Sequence, residues 1–212
     1  MSDWELVIPM ESGSRRALFP DHDSLRLVVL WTGTFGGKGD TPQDLAVVDV
    51  GACCGAFSLA VLRLIPQAHI IAFEPSDKAW PYLVHNLGGV ADLYNMAASD
   101  KDGFSDLSEA RIGVQTLHGK GGKSVKTVRL DDVIAQKVHM MKIDVEGHEM
   151  EVLDGAKELI SEHRPDIIIE LSKENQFRAG RTLDELKQKL SDMNYVPVRQ
   201  LTKQDWHYVR QR

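Results

Sequence analysis

An apolar segment, AVVDV (46–50), runs straight into a glycine-bounded turn, GACCG (51–55), and the turn runs into a helical pattern from Ala56 to Ile65 that Pro66 stops. A second apolar segment, HIIAF (69–73), follows at once. Buried strand, tight turn, helix and second buried strand make a βαβ unit, and a core begun this way calls for a parallel sheet with helices on its faces. The alternation continues. Lys78 to Leu87 reads as a helix ended by Gly88-Gly89, and Asp92–Met96 as a strand followed by a polar region to about Val128. MMKID (140–144) is a strand, Glu149 to Glu162 a helix, and DIIIEL (166–171) a strand. Thr182 to Glu185 is a capping box opening a helix with Leu183, Leu186 and Leu190, and strands near Tyr195–Val198 and Trp206–Val209 close the chain. The fold class is α/β, a mostly parallel sheet whose last hairpin supplies an antiparallel edge.

Residues 1–45 do not share this pattern. LRLVVLW (25–31) fits a strand or a short helix, while Pro9, Pro20 and Pro42 interrupt the rest. The segment reads as an N-terminal cap or lid on a domain spanning 46–212, or as an extra edge strand and helix without a functional role. Gly33–Gly39 and Gly119–Lys123 read as flexible loops.

Charge and cysteine content narrow the function classes. Thirty-one acidic residues against 25 Lys plus Arg give a net charge of −6, a field that repels polyphosphate and argues against nucleic-acid binding. The basic run Lys120, Lys123, Lys126 and Arg129 reads as a solvated loop. Asp3 and Glu5 stand where a secretory signal carries basic residues, and Asp49, Gly51, Gly55, Ser58 and Arg63 interrupt the most apolar stretch, so neither a signal nor a membrane span is expected. The two cysteines, Cys53 and Cys54, are adjacent and form no disulfide framework. These features fit the cytoplasm; a homodimer remains open.

Ligands of open α/β sheets bind in the crevice beyond the carboxyl ends of the strands. Gly51 lets the chain turn tightly out of the first strand, and Gly55 lets the following helix start close to a ligand. Glu74 ends the second strand, where a carboxylate can accept both hydroxyl hydrogens of a ribose. The spacing is G-x-x-x-G, with Cys53 where the dinucleotide fingerprint G-x-G-x-x-G has its middle glycine, so bound pyrophosphate is not expected. Asp49 adds a negative charge that repels phosphate and suits an ammonium and a sulfonium. S-adenosylmethionine carries an adenosine and both of these cations. The alternative is that the glycines serve chain reversal alone.

With these blocks, DVGACCG (49–55), FS (57–58), FEPS (73–76), YNMAASD (94–100) with Gly103, VRLDD (128–132), KIDVEGHE (142–149) and LDGA (153–156), the chain resembles the FkbM-type class I S-adenosylmethionine-dependent methyltransferases across roughly residues 45–172. It departs from them at Cys53-Cys54, where the family more often has Asn and an aliphatic residue. The resemblance implies a Rossmann-like, doubly wound, seven-stranded sheet with a reversed final strand, in agreement with the strand count. It also implies cofactor contacts from Asp49, Gly51, Ala52, Cys53, Gly55 and Ser58, from Glu74 and Pro75, from Asn95, Ala97 and Ser99 on the adenine side, and from Asp144. The acceptors it implies are hydroxyl groups on natural products, sugars and related small molecules.

Transfer to a hydroxyl requires alignment with the methyl and removal of a proton. The cluster after the fourth strand, Asp144, Glu146, His148 and Glu149, lies beside the expected crevice, and His148 is the expected base because its ordinary pKa of ~6.5 suits neutral pH. The same residues can be read as structural, with Asp144 capping the turn, Glu146 and Glu149 favouring a helix N-terminus, and His148 solvated. Glu170 ends the fifth strand and can face either the crevice or solvent. No metal-ligand spacing links these side chains, and no metal is expected. Two rival functions stand beside the methyltransferase: an NAD-dependent oxidoreductase of the same architecture, and a non-catalytic S-adenosylmethionine-binding protein.

Overall fold

The computed structural model describes residues 4–10, 13–19, 45–111, 114–117 and 122–211. Strands β3 (Ala46–Val50), β4 (His69–Phe73), β5 (Ala91–Tyr94), β10 (Met140–Ile143), β11 (Asp166–Glu170), β12 (Tyr195–Gln200) and β13 (Asp205–Arg210) form a seven-stranded sheet in the order β12-β13-β11-β10-β3-β4-β5. β5, β4, β3, β10 and β11 run parallel, and β13 pairs antiparallel with β11 and with β12. The expected doubly wound sheet is present. The reversed strand is the last in sequence and lies one place in from the edge that β12 forms.

The sheet divides two apolar layers. Val47, Ile70, Ala72 and Ile168 pack on one face with α1 (Ala56–Leu64) and α2 (Trp80–Leu87). Val48, Val50, Met141, Ile143, Ile167 and Ile169 pack on the other with α4 (Glu149–Gly155), α5 (Lys157–His163) and α7 (Leu183–Asp192). Strands covered on both faces read as continuous apolar runs, which is why β3, β4 and β11 stand out in the sequence. α7 begins where expected: Thr182 accepts from the Glu185 amide, and the Glu185 carboxylate accepts from the Thr182 amide.

Three expectations are corrected. The helix expected from Glu149 to Glu162 is two helices, because the chain leaves helical geometry at Ala156 (φ −116°, ψ 14°). Ala156 and Gly155 are buried, and a Cβ on Gly155 would overlap the carbonyl of Ser99. The polar region before Val128 holds a second sheet of β6 (Ala97–Ala98), β7 (Gly103–Arg111), β8 (Val114–Thr116) and β9 (Lys123–Val128), ordered β6-β9-β7-β8. Its few inward residues, such as Leu107 and Val125, alternate with exposed polar ones, so little apolar signal marks it. Lys123 and Lys126 therefore lie on a strand rather than in a loop. Two short helices, α3 (Leu130–Val133) and α6 (Lys173–Arg178), carry too little periodicity to be read in advance.

At the N-terminus, β1 (Trp4–Met10) and β2 (Gly13–Phe19) form an antiparallel hairpin. Pro9 lies within β1, which a two-stranded ladder tolerates. Leu25–Trp31, Gly33–Gly39 and Gly119–Gly121 lie outside the described residues. No helix among the described residues is long and apolar enough to cross a membrane.

Gly155→Ala should cost about 1–3 kcal/mol, the usual scale of an overpacked contact, since the opposing group is backbone and cannot rotate away. Urea denaturation checks this as a lowered midpoint with an unchanged slope.

Candidate functional site

The turn after β3 is built from residues that take left-handed backbone geometry: Gly51 at φ 77°, Cys53 at 52° and Gly55 at 85°. A Cβ on Gly51 would overlap the carbonyl of Asp144, so glycine is what lets the turn approach the end of β10. Gly55 faces Leu83 and Leu87 of α2 at 3.0–3.2 Å from where its Cβ would be. Glu74, at the exit of β4, is fully buried; one carboxylate oxygen accepts from the Cys53 amide and the other from the Ser76 amide, both at 2.7 Å. Asn95 donates to the Glu74 carbonyl at 2.9 Å, and Tyr94 stacks on Phe73. Asp49 is fully buried; Oδ2 accepts from the Ser58 hydroxyl at 2.7 Å, and Oδ1 has no hydrogen-bond partner among the described residues. Burial holds the Asp49 carboxyl above its usual range, against the Lys142 charge and the Ser58 bond.

The structure thus joins Asp49, Gly51, Cys53, Gly55, Ser58, Glu74 and Asn95 around the ends of β3, β4 and β5. Ala52 is buried in the turn and Pro75 half-buried beside it. Ala97 and Ser99 lie in and just after β6, in the second sheet. Both cysteines are free; the Cys54 hydrogen bond and burial push the Cys53 thiol well up, which keeps it protonated and unreactive.

Next to the turn is a charge cluster whose organising member is Lys142, buried in the middle of β10. It lies level with Asp49 on β3, donates to Asp144 at 2.8 Å and has the Phe57 ring 5.9 Å from its Nζ. Burial alone would lower its pKa, but Asp144, Asp49 and Asp205 raise it instead. Glu170, level with Asp205 on β13, is nearly buried and accepts from Asn175 of α6 at 2.8 Å. Burial and the charges of Asp144, Glu146 and Glu149 push it up to about 9. Burial, with Asp144 next, pushes Glu146 up to about 7 against the pull of Arg178. Glu149 is pushed up to about 7 by burial, although it accepts from the Val145 and Gly147 amides and from Gln176. Glu146 is half-buried and holds φ at 54°, a costly conformation for a residue with a Cβ.

His148 is not solvated. It is 7% exposed, with Nε2 at 2.9 Å from the Ser99 hydroxyl and Nδ1 at 3.5 Å from Glu151. Glu151 in turn takes a two-pronged ion pair from Arg181. Glu170, for which the sequence left crevice and solvent open, belongs with the crevice acids. Lys142, Asn86, Asn175 and Asp205 had not been singled out for this site. Only Lys142 left a usable signal, because a lysine inside a buried strand is rare unless it is paired. Among the described residues no group of three His, Cys, Asp or Glu side chains is arranged to hold a metal ion.

A doubly wound sheet with a glycine turn, a buried carboxyl at each of the first two strand ends and an acid cluster beside them defines a Rossmann-like protein, a class whose ligands bind at the switch of strand order. The model of the methyltransferase FkbM domain matches residues 49–197, and the chain belongs to that family. It is 29% identical over 126 residues to the hexuronic acid methyltransferase AglP of Haloferax volcanii, covering 55% of this chain and 52% of that protein. It is 26% identical over 148 residues to the 2-O-methyltransferase NoeI of Sinorhizobium fredii, covering 57% of this chain and 61% of the relative. The chain thus spans between about half and three fifths of these two relatives. The crystal structure of methyltransferase FkbM from Methylobacillus flagellatus KT superposes with a TM-score of 0.59 at 18% identity, over 84% of this chain and 47% of that one, and so shares the fold.

The raised carboxyls set a pH dependence. A carboxyl with an elevated folded pKa keeps a proton that the unfolded chain has already lost, so stability falls as pH rises from the unfolded value of 4.5 to the folded one. Urea unfolding should show stability declining from about pH 5 to about pH 9. Glu170→Gln should remove most of the decline between pH 7 and 9, because Glu146 and Glu149 are already half-titrated at about 7 while Glu170 still holds its proton there.

Proposed function

We propose that the chain is an S-adenosylmethionine-dependent methyltransferase acting on a hydroxyl of a small molecule or sugar. The observation that carries this reading is Asp49 Oδ1, a fully buried carboxylate oxygen left without a hydrogen bond at the end of the first strand. Such an atom costs about 1–3 kcal/mol unless a ligand supplies a donor. The residues fit this cofactor: Asp49 offers its oxygen to an ammonium, and Glu74 is oriented by two amides for ribose hydroxyls. The cofactor, when bound, supplies an electrophilic methyl on a sulfonium sulfur.

The chain's own work is to align the acceptor and take its proton. Glu146 fits the proton acceptor better than His148, since it is only half-buried and titrates near neutrality, whereas the His148 ring is engaged by Ser99. On transfer of the methyl, the hydroxyl proton of the acceptor would pass to the Glu146 carboxylate. Asp144, held by Lys142, orients the acceptor. The names of the relatives, one acting on a hexuronic acid and one a 2-O-methyltransferase, support a sugar-like acceptor.

Calorimetric titration with S-adenosylhomocysteine and, separately, with NAD tests the reading. S-adenosylhomocysteine should bind and NAD should not, and Glu74→Gln should weaken binding by about 1–3 kcal/mol, the scale of charge-assisted hydrogen bonds. No binding by the wild-type chain would overturn the assignment. Once an acceptor is found, Glu146→Gln should lower kcat by about 10²–10⁴ while S-adenosylhomocysteine affinity holds.

A further inference from the structure

We propose that Asn86 is a positioning residue for the Asp49–Gly55 turn, and that through it the N-terminal hairpin β1–β2 is part of the cofactor-binding apparatus. The functional half of this claim rests on the reading above. Asn86 lies on α2, is fully buried, and is used on three sides. Its Oδ1 accepts from the Leu18 amide at 2.7 Å, and its Nδ2 donates to the Leu18 carbonyl at 2.8 Å and to the Cys54 carbonyl at 2.7 Å. It therefore pairs with both backbone groups of a hairpin residue, as a neighbouring strand would, and fastens that pair to the turn.

Other contacts make the coupling tight. His85, next to Asn86, bonds its ring nitrogen to the Arg16 carbonyl at 3.2 Å, so α2 holds β2 at alternate residues. Ala17 and Phe19 are fully buried in the same apolar cluster as Ala52, Cys54 and Phe57. Leu83 and Leu87, on either side of Asn86 along α2, face Gly55. The turn needs such bracing because Cys53 holds a left-handed conformation that a residue with a Cβ keeps only when its surroundings fix it. With the Cys54 carbonyl held, the Cys53 amide stays aimed at Glu74.

The choice of side chain follows. Aspartate keeps the Leu18 amide bond and loses both donors, leucine loses all three bonds, and glutamine is one carbon too long for a fully buried site. Nothing else among the described contacts links β2 by hydrogen bond to the turn.

The test uses the full chain with Asn86→Leu. Three quantities are read: S-adenosylhomocysteine affinity and amide hydrogen exchange at residues 52–55, both well below the melting temperature, and the melting temperature itself. The expected result is at least a tenfold loss of affinity together with faster exchange at 52–55 in a protein whose sheet amides stay protected. A lowered melting temperature with affinity and turn protection unchanged would overturn the proposal, because Asn86 would then be an ordinary core hydrogen bond. If Asn86→Leu does not fold, Leu18→Pro, which removes the amide that Asn86 accepts from and leaves the turn's sequence intact, should raise exchange at 52–55; unchanged exchange would overturn the proposal. If the wild-type chain fails to bind S-adenosylhomocysteine, the cofactor reading falls, and the exchange measurement alone decides whether Asn86 holds the turn.

Discussion

The ammonium of Lys142 is placed where a cation is costly, inside the central strand of a sheet covered on both faces, and much of the site follows from how that cost is offset. Asp49 on β3, Asp144 just beyond β10 and Asp205 on β13 surround it. Three carboxyls share one cation, so negative charge accumulates at the crevice. Glu146, Glu149 and Glu170, set farther along the same edge, hold protons near or above neutrality. An edge of this kind favours a cationic or hydroxyl-bearing ligand over a phosphate. The same arrangement requires glycine at position 51, because the turn must reach the carbonyl of the aspartate that Lys142 grips.

The segment KIDVEGHE does more architecture than its density of titratable groups suggests. Glu149 folds back on the amides of Val145 and Gly147 and closes its own loop. Gly147, at φ 107°, lets α6 approach, since a Cβ there would crowd the Asn175 carbonyl at 2.7 Å. His148 joins the loop to Ser99 beyond β6, and Gly155, a helix length later, lets the same helix settle on the Ser99 backbone. The main sheet and the smaller one are thus clasped at two points by one helix. Glu146 is the half-buried acid of the segment, held at φ 54°, a strained conformation for a residue with a Cβ.

Much of this was legible in the chain. The apolar runs of β3, β4, β10 and β11 marked strands buried on both faces, the Thr182–Glu185 box marked the start of α7, and the glycines at 51 and 55 marked a turn needing left-handed geometry. The second sheet was not legible, because a small sheet with few inward residues leaves Ser, Lys and Asp to dominate its sequence. Nor was the break at Ala156, where the apolar periodicity of 149–162 continues across a residue that leaves helical geometry. His148 looked like a base by its ordinary pKa, and its burial against Ser99 comes from a contact 49 positions away.

The sequence by itself determined the order of the main-sheet strands and the two strand-end acids, Asp49 and Glu74, because periodicity, capping and backbone preference act over a few neighbouring residues. The tertiary structure alone decided which carboxyls are pushed toward keeping their protons, that His148 is buried against Ser99, and that Asn86 ties the hairpin to the turn. Those outcomes depend on desolvation and on charges and hydrogen bonds between strands far apart in the chain, and no local pattern encodes a distance across a sheet.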